Sequence, residues 1–236
     1  MRIEIAEENR RQAWDRYAAG HAEATFFHQM TWRDIVEDVF GYSSFYLIAL
    51  QGKRVTGILP LFHTPHGLFK KKLVSIANSV KGGVCADSPA IEEALIERAI
   101  ELADTTGVDF LELRHSTPKP GPLSESSPYY TLAIDLPQDP KELWRSMHNE
   151  MRRCVRRSRD NKVETDLRSN DFDTFYAVYA KAHRDLGTPA ASRKWISTVY
   201  HTFPDNHRIA YAYVDGNIAA AALVREYKKT TGAVFG

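Results

Sequence analysis

Two stretches of this chain share a pattern that restricts its fold more than any other. "LQGKRVTGIL" at 50–59 and "VDGNIAAAAL" at 214–223 each read as the end of a strand, a glycine turn and an apolar strand. Each hairpin follows two helical patterns. The first pair is 7–19, with Ala13, Trp14 and Tyr17 on one side, and 31–39, where Trp32, Ile35, Val36 and Val39 recur before the stop at Gly41. The second pair is 171–186 and 192–203. The order of two helices, hairpin and further strand thus occurs twice, about 160 positions apart, which is the signature of a tandem α/β duplication. With 236 residues and 43% apolar content, the chain can supply the buried surface this requires.

Around the first hairpin the pattern predicts a strand in "RIEIA" and another in "LVSIA". A loop follows in "NSVKGGVCADSP", then a helix capped by Ser88 with Pro89 at its first position, and a buried strand in "VDFLELR". The Pro- and Ser-rich "HSTPKPGPLSESSP" reads as a surface loop before a strand in "YYTLAIDL". Around the second hairpin a basic helix and a strand in "VETDLR" come first. The sequence given stops at "TTGAVFG", an apolar run without a stop signal. The second copy is therefore expected to be incomplete, with an open strand edge. The expected division is 1–138 for the first copy and 139–236 for the basic helix and the start of the second.

Lys and Arg number 31 against 30 Asp and Glu, so no global field draws the protein to DNA, RNA or an anionic membrane, and any basic patch is local. DNA is not an expected partner. Cys85 and Cys154 lack the spacing of a zinc site or a disulfide framework and are expected as reduced core or near-core thiols. "MRIEIAEENRRQAW" lacks the apolar core of a signal peptide, and no apolar run is long enough to span a bilayer, so a cytoplasmic protein without a transmembrane segment is expected.

The local basic patch is "WRSMHNEMRRCVRRSRDNK", residues 144–162, with seven basic side chains. A single helix through it would gather Arg145, His148, Arg152, Arg156 and Arg159 on one face. Leu143, Trp144, Met147, Met151, Cys154 and Val155 would lie on the other. Like charges in one stripe favour an anion between them, and the guanidinium fork suits phosphate. A solvated face with ion pairs elsewhere in the fold is the plainer alternative. Other candidates are His115, directly after the strand "LELR", where α/β sheets tend to hold ligands, and Asp185 and Thr188 in the turn "RDLGTP". Lys81 beside Gly82 and Gly83 forms a loop that could bring an ammonium and backbone N–H groups to phosphate. A lone histidine is more often a packing residue, and an aspartate in such a turn more often simply satisfies backbone groups. No nucleophile elbow, phosphate-loop or zinc-protease motif is present.

Taken together, "ATFFHQMTWRDIVEDVFG", "GILPLF", "GGVCAD", "VDFLELRH", "MRRCVRRSRDNKV" and above all "RDLGTP" resemble the FemAB-related proteins of the GNAT acyltransferase superfamily. The likeness is greatest to the bacterial group associated with exopolysaccharide and protein-sorting systems. It implies an α/β fold of tandem GNAT-like domains, with mixed sheets flanked by helices, here incomplete in the second copy. It further implies transfer of an acyl or aminoacyl group to an amine. Fem enzymes take the amino acid from aminoacyl-tRNA and add it to a nucleotide- or lipid-linked peptidoglycan precursor, whereas related GNAT enzymes use acyl-CoA. In either case the donor is a substrate, with no covalently bound cofactor. On this resemblance Lys81, Gly82, Gly83, Arg145, Arg152, Arg156, Arg159 and Thr188 are candidates for binding phosphate or substrate. Arg152 and Arg156 lead that group, and His115 and Asp185 are the catalytic candidates. The family usually carries Lys at the position of Glu150 and Gly at that of Lys162, has larger residues where Ala190 and Ala191 stand, and continues through further elements of the second domain. The arginine-rich loop of simple acetyl-CoA enzymes is not visible. The rival expectations are a non-catalytic module that binds RNA or another anion, and an inactive truncated remnant.

Overall fold

The computed structural model describes residues 1–68, 70–115, 117–119, 121–126 and 132–235. Its internal contacts divide the chain into two compact units, Met1–Glu125 and Ser126–Gly236.

In the first unit β1 (Arg2–Ile5) leads through a 3-10 turn into helix α1 (Arg11–Gly20), and a second 3-10 turn, Phe26–His28, leads into α2 (Met30–Phe40). Gly41 ends α2 in the left-handed region at φ 67°, a conformation that glycine adopts without a Cβ penalty. β2 (Ser43–Gln51) and β3 (Arg54–His66) form the expected hairpin. They are followed by β4 (Lys70–Val74), β5 (Cys85–Ala86), α3 (Pro89–Thr106) and β6 (Phe110–Glu112). The sheet runs β1-β2-β3-β4-β6 with β5 against β3. It is mixed, because β4 and β6 pair in parallel and the remaining pairs are antiparallel.

The run Tyr46–Leu50 of β2 is buried throughout, as a strand covered on both faces must be. Leu47 and Ala49 join Leu59, Leu61 and Leu73 against Ile91, Leu95 and Ala99 of α3. On the alternate side the Tyr46 ring meets Trp14 of α1 at 4.8 Å and Phe62 at 5.7 Å. Gly57 lets α3 approach, since a Cβ there would lie 2.8 Å from Leu95 Cδ1 and 2.9 Å from Ile91 Cγ2. Leu95 Cδ1 is the end of a flexible side chain, but Ile91 Cγ2 sits on a stiff branched carbon and the backbone Cys85 O would be 3.3 Å away, so Gly57→Ala is expected to cost about 1 to 3 kcal/mol. A denaturant midpoint measured with and without Leu95→Val checks this, because the smaller neighbour should absorb the added methyl.

Several local expectations are corrected. The strand expected in "LVSIA" stops at Val74. Ile76 and Asn78 then take positive φ of 60° and 56°, and a strand cannot continue through left-handed residues. The strand in "VDFLELR" is neither long nor buried: β6 spans three residues at a sheet edge and leaves Phe110 exposed. Ser88 occupies the N-cap position of α3 without a side-chain capping bond. Of "YYTLAIDL", residues 129–131 lie outside the described residues. Residues 132–136 form no strand, and Leu132, Ile134 and Leu136 are exposed. An alternating run becomes a strand only where a neighbour takes up its hydrogen bonds.

In the second unit the basic segment is broken into α4 (Pro140–Ser146) and α5 (Asn149–Asp160). Extended backbone at Met147 and His148 separates the two helices. The His148 ring caps α5 by accepting from Glu150 N at 3.4 Å. Neither helix has a buried residue, and Cys154 is exposed, contrary to the core or near-core position expected of it. Then come β7 (Glu164–Ser169), α6 (Phe172–Asp185), α7 (Arg193–Thr202), β8 (His207–Val214), β9 (Asn217–Tyr227) and β10 (Thr230–Phe235). The sheet order is β10-β9-β8-β7, antiparallel throughout. Asp215 and Gly216, both at positive φ, close the β8–β9 hairpin, the turn an Asp-Gly pair favours. Phe175, Tyr179, Trp195, Ile196, Val199, Ile209, Tyr211 and Leu223 are the buried centre of this unit.

The duplication read from the sequence is therefore a repeated topology. β1, α1, α2, β2, β3 and β4 recur as β7, α6, α7, β8, β9 and β10, with the same antiparallel neighbours in the same order.

Candidate functional site

Four of the expected site residues, Lys81, Gly82, Gly83 and His115, lie in the first unit, where Gly83 meets His115. Thr25 caps the Phe26–His28 turn, and its N–H donates to His28 Nδ1 at 3.0 Å. That bond assigns the His28 proton to Nε2, which donates to Gly83 O at 2.9 Å and lies 3.4 Å from Cys85 Sγ. His28 and Cys85 are both buried. Gly83 is thereby fixed beside His115, whose ring fills the space a side chain would need: a Cβ on Gly83 would overlap His115 Cδ2. Gly82 makes the same accommodation for Ile76. The paired glycines thus admit protein side chains. The loop's polar groups are also engaged, with Gly82 N–H donating to Arg114 O at 2.9 Å and Lys81 N–H to Ser79 Oγ at 3.3 Å. Lys81 O accepts from Thr25 Oγ1 at 3.3 Å.

His115 Nε2 is buried and has no hydrogen-bond partner among the described residues. Burial, and then the nearby Lys119 ammonium, lower its pKa below the ordinary histidine value, so the ring is neutral at neutral pH. Lys119 itself sits between Glu92 at 2.9 Å and Glu23 at 3.4 Å. The space among Glu23, Thr25, His28, Gly83, His115 and Lys119 is about 10 Å³, room for one water. Sequence reasoning missed Thr25, His28, Glu23, Glu92 and Lys119. The spacing of a capping threonine and a polar residue three positions on was a usable signal for the first two.

In the second unit, α4 brings Trp144 to the basic face of α5. The Arg156 and Arg159 guanidinium carbons each lie 5.6 Å from its ring centroid. The expectation that Trp144 lies opposite the arginines is thus corrected, because the break at His148 turns α4 back on α5. Arg145 stays on α4, outside the helical stripe. Arg152 is engaged by Asn149 Oδ1 and Arg153 by Glu150. Among the described residues Arg156, Arg157 and Arg159 enter no ion pair.

"RDLGTP" is the C-terminal stop of α6. Gly187, at φ 69°, donates its N–H to Arg184 O, and Thr188 donates its N–H to His183 O, both at 3.0 Å. This double bond pattern is the Schellman cap. Thr188 Oγ1 also lies 3.1 Å from His183 Nδ1. Asp185 takes no part in the cap. Its exposed carboxylate pairs with Lys181 at 2.6 Å, and that hydrogen bond holds its pKa below the usual range.

Residues 145–236 match the sequence model described as an acetyltransferase (GNAT) domain. The match covers less than half of the chain and falls within the second unit. Arg145, Arg152, Arg156, Arg159, Asp185 and Thr188 lie inside it, whereas Lys81, Gly82, Gly83 and His115 lie outside. Among solved structures, the crystal structure of FemX is similar over 91% of this chain and 58% of its own, with a TM-score of 0.57 and 12% identity. The chain therefore spans less than two thirds of FemX, and the likeness shows a shared GNAT-like α/β fold. An aminoglycoside antibiotic 6'-N-acetyltransferase from Acinetobacter haemolyticus (12% identity, 57% of this chain and 100% of that one, TM-score 0.39) is a weaker match. A transcriptional regulator from Bacillus halodurans (18%, 57% and 99%, TM-score 0.40) is another. Neither adds to the assignment. A search of curated proteins returns no match.

Proposed function

We propose that the protein transfers an acyl or aminoacyl group from a phosphate-bearing donor, acyl-CoA or aminoacyl-tRNA, to an amine of a peptidoglycan or exopolysaccharide precursor. The observation that carries this reading is the α5 surface at the start of the GNAT segment, where Arg156 and Arg159 flank Trp144 without a carboxylate partner among the described residues. Guanidiniums so placed can grip donor phosphate, and the indole beside them holds the two side chains on one surface. In the reaction the amine nitrogen attacks the carbonyl carbon, the thioester C–S or ester C–O bond breaks, and the amine gives up a proton. Of the two candidate proton acceptors, Asp185 is exposed and within the matched segment, where its pair with Lys181 makes it a weak base, and His115 faces a space with room for only a water. Arg152 supports the stripe from its bond to Asn149. No helix among the described residues is long and apolar enough to cross a membrane, and both donor types are cytoplasmic, so we place the reaction in the cytoplasm.

Arg156→Ala and Arg159→Ala are each expected to weaken donor binding roughly tenfold, the worth of a charge-assisted hydrogen bond. Titrating acyl-CoA and aminoacyl-tRNA against each variant, with pyrophosphate as competitor, checks this. Unchanged affinity for both donors would overturn the site. A second reading, an RNA-binding module without catalysis, is favoured by the exposure of all of α5. It predicts a steep salt dependence, log K falling with log salt by about 0.7 to 0.9 per phosphate contacted, and no release of thiol or deacylated tRNA when an amine is supplied.

A further inference from the structure

The β3–β4 hairpin extends past its neighbours. β2 begins at Ser43, opposite His63, so Thr64, Pro65 and His66 continue paired only with Lys72, Lys71 and Lys70 on their β4 side. On the far edge β6 reaches no further than Lys72. The result is a two-stranded finger, turned at Gly67 with φ 68°. Leu68 stands at its tip, 90% exposed. Pro65, Lys70 and Lys71 are exposed beside it. The Lys70 ammonium lies 5.1 Å from the centroid of Phe110, itself 43% exposed. Among the described residues neither Lys70 nor Lys71 is in an ion pair, while Lys72, lower on the finger, is paired with Glu112 at 2.7 Å. The Asp109 carboxylate accepts from the Lys71 backbone N–H at 2.8 Å.

We propose that this finger docks on an anionic lipid surface, Leu68 entering the interface and Lys70 and Lys71 lying at the level of the headgroup phosphates. An apolar tip flanked by cations fits that boundary, where buried apolar area and attraction to anionic lipid add. A nucleic acid would meet the lysines but offer Leu68 nothing to enter, and a second copy would set like charges face to face. The inference stands independently of the acyl-transfer reading.

The test is co-sedimentation of the whole protein with vesicles of phosphatidylcholine, with and without one third phosphatidylglycerol, at low ionic strength. Binding is expected only to the anionic vesicles. Lys70→Gln with Lys71→Gln should weaken it about 25-fold, at about fivefold for each charge. Leu68→Ser should weaken it about tenfold, and because Leu68 is so exposed this variant leaves the fold untouched. Arg156→Ala with Arg159→Ala, which tests the basic helix instead, should leave vesicle binding in place. The proposal is overturned by equal binding to both vesicles, by no binding, or by loss in the α5 variant with the finger variants unaffected. Finger-dependent binding of RNA with no vesicle binding would likewise overturn it.

Discussion

Gly83→Ala is expected to lower stability by about 1 to 3 kcal/mol, the usual cost of forcing atoms into a filled site, and to drive His115 out of its slot. The new methyl would overlap the imidazole ring itself, which has no flexible end to yield. The backbone cannot move away cheaply either, because Gly83 O holds His28 and the preceding Gly82 N–H holds Arg114 O. The ring must therefore swing toward solvent. Its pKa, now lowered by burial and by Lys119, should rise toward the ordinary histidine value, readable from its ring resonances in a pH titration. Adding His115→Ala to Gly83→Ala should recover most of the lost stability, a double-mutant coupling that independent sites would not show. Strict additivity of the two changes, with the His115 pKa unmoved, would refute the slot.

The second unit is expected to weaken on acidification through His207. Its ring is buried, and burial is the main cause that pulls its pKa down to about 4, with Arg225 across the β8–β9 pair adding to it and the bond to Phe203 O opposing it. The unfolded chain takes up the proton near pH 6.5, while the folded unit refuses it until about pH 4. The contribution is thus fully present above pH 6.5 and is lost as pH falls from there through about 4, at up to about 1.4 kcal/mol per pH unit. Hydrogen exchange of β8 amides measured across this window should follow that slope. In His207→Phe the dependence should flatten whatever the variant's absolute stability. An unchanged slope in the variant would assign the acid sensitivity to other groups.

The repeat was legible because its cause is local. Hairpins are fixed by turn chemistry and apolar alternation, and the helices by periodicity, so 31–39, 171–186 and both hairpins were found close to their observed bounds. Errors fell where neighbours decide. "VDFLELR" has strand propensity along its length, yet only three residues find the β4 backbone beside them. "LVSIA" is cut short by the left-handed Ile76, which no propensity announces. Helical periodicity alone runs one helix through Met147 and His148, whereas their backbone is extended and the His148 ring caps a second helix.

The sequence by itself determined the two-fold order of elements, the α/β class, the stop of α6 at Gly187 and the concentration of arginines after Trp144. Each depends on residues adjacent or a few positions apart in the chain. Only the tertiary structure decided that Gly83 accommodates His115, that Lys119 lies between Glu23 and Glu92, that Trp144 faces Arg156 and Arg159, and that the β3–β4 finger outruns the sheet. Those relations join residues whose separation along the chain carries no periodic signal, or depend on where a neighbouring strand ends, and they are set by packing alone.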